Sequence, residues 1–276
     1  MLLTEAASTR PRINLLGGFT LHLADRLVTL PLHASRVLAY LCLDRLGRPA
    51  SARHQVAERL WSDVPAERAH ASLRTALWRI RRADRRVVVV DRDWVRLGDV
   101  DVDVHRGRAQ ATRLLSDDPV LRPADTHVTA LVGDLLPGWD EDWLLLERER
   151  IRQLQTHALE ALAARLCRMG CFLQAIDVAY AVIEAEPLRE SGHVALIDTY
   201  LAEGSVAQTH QQLRRYATLL DNELGLSPSP RLLARVGAVT DTYPNAWETG
   251  ATTTSAAWAY TSGIFCGSGI WTTWIN

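Results

Sequence analysis

The apolar positions of residues 70–82 (HASLRTALWRIRR) repeat with a helical period. With Leu73 turned inward, Ala76, Leu77 and Ile80 fall on the same side. Arg74, Thr75, Trp78, Arg79 and Arg82 fall on the flanks and the far side, which predicts an amphipathic helix with a wide basic face. Two shorter helical patterns come first. Residues 33–46 place Val37, Leu38, Leu41 and Cys42 on one stripe, with Gly47 as the stop; residues 52–61 turn Val56, Leu60 and Trp61 inward, with Ser51 as the expected cap. Residues 62–65 read as the loop into the basic helix. Alternating patterns flank the three helices. Residues 13–16, 20–23 and 26–30 are short strand-like runs separated by Gly17-Gly18 and Ala24-Asp25, and 87–90 and 94–97 form a hairpin around Asp91-Arg92-Asp93. A small sheet, three helices and a terminal hairpin make the order of a winged helix-turn-helix.

From residue 141 onward the period is helical throughout. Ile151, Leu154, Ala158, Leu162 and Leu166 form one apolar stripe ended by Gly170. Further helices are expected over 171–185, closed by Pro187, over 189–202, closed by Gly204, and over 206–224, stopped at Gly225. Helices of this length joined by short turns pack antiparallel in pairs, which is tetratricopeptide-like architecture. Such arrays present a surface to another protein. The fold class expected is therefore an α+β winged helix-turn-helix domain followed by an all-α helical domain.

Charge sharpens this division. Residues 66–86 carry seven Arg against Glu67 and Asp84, a local charge of +5 in a chain whose total is −1. Residues 1–105 hold 17 Arg against 12 acids, and 106–276 hold 14 against 20. A basic first half and an acidic second half suit a nucleic-acid module joined to a protein-facing one, because phosphate contact is driven by counterion release. A solvated surface helix would also carry a charge run; its place between a helix–turn–helix and a hairpin favours a DNA-reading face.

Other chemistry is weakly represented. All 31 basic residues are Arg, so no phosphate loop of the GxxxxGK[ST] kind can exist. Cys42, Cys167, Cys171 and Cys266 lack a CxxC pair or zinc spacing and read as buried reduced thiols, with Gly170 breaking the helix between Cys167 and Cys171. Asp99, Asp101 and Asp103 alternate with Val100, Val102 and Val104; a solvated strand edge is the expectation there, ahead of a cation site. No paired carboxylates suggest catalysis. Neither an enzyme nor a cofactor or metal site is expected. The N-terminus lacks a signal-peptide pattern and no run before residue 250 approaches a membrane span, so a cytoplasmic protein without a membrane partner is expected.

Several stretches resemble the SARP/AfsR family of transcriptional activators. EDWLLLERERIRQLQTHALEALA from Glu141, AIDVAYAVIEAEPLRE and LLDNELGLSPSPRLL are similar to that family's bacterial transcriptional activation domain. LLGGFTLHL, Leu60-Trp61 and LWRIRR are similar to its OmpR/PhoB-type DNA-binding domain. Together they cover about residues 12–240, and Glu223-Leu224-Gly225-Leu226 with Pro228-Ser229-Pro230 is the most specific element. The resemblance implies a DNA-binding domain over 12–103, an activation domain over 104–243 and, outside the match, an uncharged tail over 244–276 expected to be disordered. It implies a pathway-specific activator that binds direct repeats in double-stranded promoter DNA as side-by-side protomers or a homodimer. RNA polymerase holoenzyme would be recruited through a sigma factor or the alpha subunit, and the genes controlled would be those of secondary metabolism.

By residue match, Arg74, Thr75, Trp78 and Arg79 would face the major groove, with Arg68, Arg81 and Arg82 on phosphates. Arg53, at the start of the second helix, and Arg92, at the wing tip, would make phosphate and minor-groove contacts. Trp94-Val95 stand where many members of that family carry Gly-Tyr before the Arg-Leu of the last wing strand. Two other readings stay open at this point: a helical scaffold whose winged helix binds protein, and a regulator whose helical array holds a small molecule.

Overall fold

The structure is a computed structural model, and it describes residues 10–44, 50–116 and 120–240. The chain forms two compact units, one running through Ala161 and the other from Leu162.

The first unit opens with β1 (Arg12–Asn14), β2 (Thr20–Leu23) and β3 (Arg26–Leu27). Leu23 pairs with Arg26, so β2 and β3 are joined by Ala24-Asp25 alone, and both residues take positive φ (47° and 63°). That geometry matches the right-handed twist of the strands it connects. Helix α1 (Leu32–Leu43) follows Pro31 and turns Val37, Leu38, Leu41 and Cys42 into the core. It ends at Leu43; the expected extension to residue 46 and the stop at Gly47 lie outside the described residues.

Ser51 does not cap the second helix. Ser51–Ala52 forms a short strand, β4, paired with the later hairpin, and the Ser51 hydroxyl donates to Asp44 instead. The residue entering α2 (Arg53–Leu60) is Ala52, in extended conformation and without a side-chain cap. Pairing with the hairpin took precedence over capping because it satisfies backbone groups on both strands. Helix α3 (Ala66–Ala83) starts directly after Pro65, four residues before the apolar pattern announced it. Glu67 in its first turn and Arg81 and Arg82 in its last complement the helix dipole. Its inner stripe of Leu73, Ala76, Leu77 and Ile80 is buried as the period requires.

The hairpin of β5 (Val88–Asp91) and β6 (Trp94–Leu97) turns through Arg92-Asp93. Val95 is fully buried, so Trp94-Val95 supports a regular wing strand. The chain then returns to the first sheet as β7 (Asp101–Val102), parallel to β1, giving the order β3-β2-β1-β7. Wing and β4 form the second sheet, β4-β6-β5.

The alternating aspartates form a solvated strand edge only in part: Asp99 is exposed just before the edge strand β7 and Asp101 is half-exposed within it, whereas Asp103 departs from the pattern. Asp103 is buried at the first turn of α4 (Asp103–Leu115), a helix the strand-like alternation concealed. Its Oδ2 accepts from the Leu15 and Leu16 amides (2.8 and 2.9 Å), and its Oδ1 from Val104 N (2.7 Å). One carboxylate thus fastens α4 to the end of β1. Gly107 lets α4 approach the 3-10 turn at Val128–Ala130, where a Cβ would stand 2.2 Å from the Ala130 carbonyl.

The first unit's core continues past residue 103, since Leu135, Leu136, Trp143, Leu144 and Ile151 join the cluster built on β1, α1 and α3. Arg36 of α1 reaches Glu141 just before α5 (Asp142–Arg168), donating to its Oε2 at 2.8 Å and to the Leu60 carbonyl at 2.7 Å. Arg148 of α5 donates to the carbonyls of Leu135, Leu136 and Trp139. The Arg36 charge is paired with Glu141 and that of Arg148 is hydrogen-bonded to three carbonyls, the conditions under which a guanidinium can lie beside a core.

In the second unit, α6 (Phe172–Ala185), α7 (Glu190–Glu203) and α8 (Val206–Leu224) pack in consecutive pairs. Gly204 and Gly225 close α7 and α8 in the left-handed conformation. A further helix, α9 (Pro230–Thr240), follows; Leu232 and Val236 join Ile197, Tyr216 and Leu220 in its core. Cys42 is buried, which pushes its thiol well above the usual range, whereas Cys167 and Cys171 are only half-buried. Cys266 and the tail 244–276 lie outside the described residues. No helix among the described residues is long and apolar enough to cross a membrane.

Candidate nucleic-acid interface

Helix α3 is held from beneath by α1 and α2, so its orientation is fixed by the core while its outer face is exposed. Arg74, Trp78 and Arg81 recur at helical spacing on the flank that looks toward the wing. With Leu77, Arg82, Arg85, Arg53 and Val90 they line an open groove of about 590 Å³ between α3, the start of α2 and the wing. Five guanidinium groups border it and no carboxylate does.

Sheet pairing accounts for the presence of Arg53. Because β4 pairs with β6, α2 begins beside the wing turn; Arg53 N donates to Asp93 O and its Nη1 to Arg92 O, both at 2.8 Å. Arg53 is therefore half-buried and tethered. Arg92 carries φ 24° at the turn, with its side chain exposed.

Arg68, Thr75 and Arg79 lie on the other outer flank of α3, away from the groove lining. Thr75 Oγ1 donates to Ala71 O (3.0 Å), which leaves its lone pairs available on an exposed side chain. Trp78 joins the two flanks: the guanidinium carbons of Arg79 and Arg82 lie 5.1 and 5.3 Å from its ring centroid. The structure thus brings Arg53, Arg74, Trp78, Arg81 and Arg82 together and sets Arg68, Thr75 and Arg79 apart.

Arg85 is the lining cation that the sequence reading did not single out. It sits two residues beyond the end of α3, where helical spacing no longer applies. Its neighbour Arg86 is spoken for: it donates to Asp84 through backbone and side chain, holding that carboxyl below its usual range. Asp84 is thereby neutralised away from the groove. Among the described residues, none of Arg74, Arg81, Arg82 or Arg85 is in an ion pair. Unpaired like charges in a concave site repel one another and attract a polyanion. No group of three or more His, Cys, Asp or Glu among the described residues could hold a metal ion.

Comparison with known proteins places the chain in a family through the part that follows this groove. The family model described as bacterial transcriptional activator domain matches residues 100–239. Regulatory protein AfsR of Streptomyces coelicolor is 26% identical over 211 residues, covering 71% of this chain and 21% of that protein. A solved structure of Mycobacterium tuberculosis EmbR, in complex with a low-affinity phosphopeptide, matches with a TM-score of 0.62 and 21% identity over 84% of this chain and 65% of that one. The chain therefore spans about a fifth of the length of AfsR and less than two thirds of the EmbR chain. With half its length inside the family model, the chain belongs to the bacterial transcriptional activator domain family, of the SARP type.

Proposed function

We propose that this protein is a sequence-specific, DNA-binding transcriptional activator that reads double-stranded promoter DNA through α3 and the wing. The observation that carries the reading is the groove between them, bordered by five guanidinium groups without a carboxylate. A winged helix laid in the major groove sends one DNA backbone between recognition helix and wing, and that backbone needs cations where this groove has them. Arg53, Arg74, Arg81, Arg82 and Arg85 are assigned to phosphates, with Arg68 at the N-terminal end of α3. Thr75, Trp78 and Arg79 are assigned to base edges, and Arg92 to the minor groove.

The helical part recruits RNA polymerase holoenzyme, through a sigma factor or the alpha subunit, and protomers sit side by side on direct repeats. The genes controlled are those of a secondary-metabolite cluster, and the protein acts in the cytoplasm on the nucleoid. These assignments follow the SARP-type relatives; the groove supports only the DNA-binding part.

The test is duplex affinity measured against salt. Log affinity is expected to fall linearly with log salt, with a slope of about −0.9 for each phosphate neutralised. A chain that binds no duplex at low salt would leave the winged helix as a protein-binding scaffold.

A further inference from the structure

Trp78 stands out among the tryptophans of the first unit. Trp61 and Trp139 pack partly buried against the core, and Trp143 belongs to it. Trp78 and Trp94 are each 52% exposed; Trp94 lies beside the wing turn, so Trp78 is the large apolar side chain on the outer face of α3. Nothing in the helix itself calls for it: the buried stripe is complete without it, and Trp is a poorer helix former than the Arg, Gln or Glu that suit an exposed position. Its ring is flanked by two guanidinium groups, so it presents an apolar surface in the midst of a cationic one.

We propose that Trp78 is a specificity-determining residue that reads the 5-methyl group of a thymine in the major groove, while its ring holds Arg79 and Arg82 in line with the same stretch of DNA. The inference rests on the DNA-reading function proposed above. Within an intact duplex the base faces are stacked and closed to an intruding ring. What the major groove offers is a row of donors and acceptors, interrupted by one apolar group, the thymine methyl. An indole carried into the groove on α3 meets cost at every polar edge and gain only at that methyl. Guanidinium groups attracted to the indole face lose less freedom when they engage neighbouring acceptors or phosphates.

The experiment uses the full chain. A preferred sequence is selected from a randomised synthetic duplex library, and each dT of it is then replaced singly by deoxyuridine, which removes the methyl and leaves the hydrogen-bonding edge intact. Synthetic duplexes carry no 5-methylcytosine, so an effect assigns the methyl to thymine. The expected result is a loss of about fourfold at one position of each site, the value of one buried methyl. Trp78→Ala should bind dT and dU versions equally, and Trp78→Leu should keep part of the discrimination. The salt slope should change in either variant by less than the roughly 0.9 of one phosphate contact, since Trp78 itself neutralises no phosphate.

Indifference of the wild-type chain to every replacement would overturn the inference while leaving DNA binding in place. So would discrimination that survives Trp78→Ala, or tighter binding to single strands than to duplex. Failure to bind any duplex would overturn the underlying reading instead.

Discussion

The arginines of α3 and of its C-terminal end face two kinds of test, because the groove side and the outer flank of the helix imply different contacts. Arg81→Ala and Arg85→Ala should weaken binding to all duplexes alike and lower the salt slope by about 0.9 each, as read by a salt titration of affinity. Arg79→Ala should instead cost about 1–3 kcal/mol on the preferred site and relax the choice of base at one position. Equal, sequence-independent losses for all three would remove Arg79 from the base edges. In the second unit, His193 makes a separate prediction. Its ring stacks on Tyr216 with centroids 4.0 Å apart; its Nε2 bonds to Pro187 O and its Nδ1 to the Gln212 amide, both at 2.8 Å. Burial, outweighing the pull of the Pro187 carbonyl and of Glu190, lowers its pKa below the usual histidine value. The unfolded chain therefore binds a proton at a higher pH than the folded one. Stability from this site is fully present above about pH 6.5 and declines as pH falls toward the depressed folded value. Thermal unfolding between pH 7.5 and 5 should show this slope, and His193→Gln should reduce it by the share of one proton.

At the scale of elements, the sequence was most informative where period and turn chemistry agreed. The inner stripe of α3, the Arg92-Asp93 reversal and the bounds of α8 follow directly from spacing. It was least informative where a long-range contact decided the matter. Asp103 alternates with valines as a strand residue would, yet it begins a helix because the amides of Leu15 and Leu16, far away in sequence, need its carboxylate. Ser51 has the chemistry of a cap, but pairing of β4 with β6 claimed its backbone. The groove was largely legible: Arg74, Trp78, Arg81 and Arg82 are on one helix and Arg53 was named at the start of the helix before it, while Arg85 enters only at a helix end, where spacing no longer points to it. Helix α9 was announced by Ser229-Pro230, a cap followed by proline in the first turn, within a run read only as a family mark. There Ser229 Oγ accepts from Leu232 N at 3.2 Å, and Glu190 of α7 accepts from Ser229 N at 2.8 Å. Ser229→Ala should therefore loosen α9 from α7 and cost about 1 kcal/mol, seen as a lower melting temperature of the second unit.

At the scale of the whole molecule, the boundary of the winged helix as a folding unit lies well past its wing. A sheet, three helices and a wing could enclose one core by themselves, and the chain through residue 103 contains all of them. In the structure that core also takes in Leu135, Leu136, Trp143 and Leu144, three of them at most 3% exposed and Trp143 at 8%. Each is worth about 2 kcal/mol of burial, so their joint loss would rival the whole marginal stability of a domain of this size. Cutting after Leu115 would also leave Arg36, two-thirds or more screened from water, without Glu141. A buried charge stripped of its partner is more costly than the same pair replaced by apolar residues. A fragment ending at Leu115 should therefore melt far below one ending at Ala161, and at room temperature it should show poor dispersion of its amide resonances. Adding saturating duplex should rescue it in part, since a ligand that binds only the folded state stabilises it by mass action. If both fragments melt together, the segment over 123–151 covers the winged helix without supporting it. A lower melting point for the shorter fragment would make the first stretch of the family domain a structural part of the winged-helix unit, and any transcription assay with a short fragment would then measure its stability before any proposed contact with polymerase.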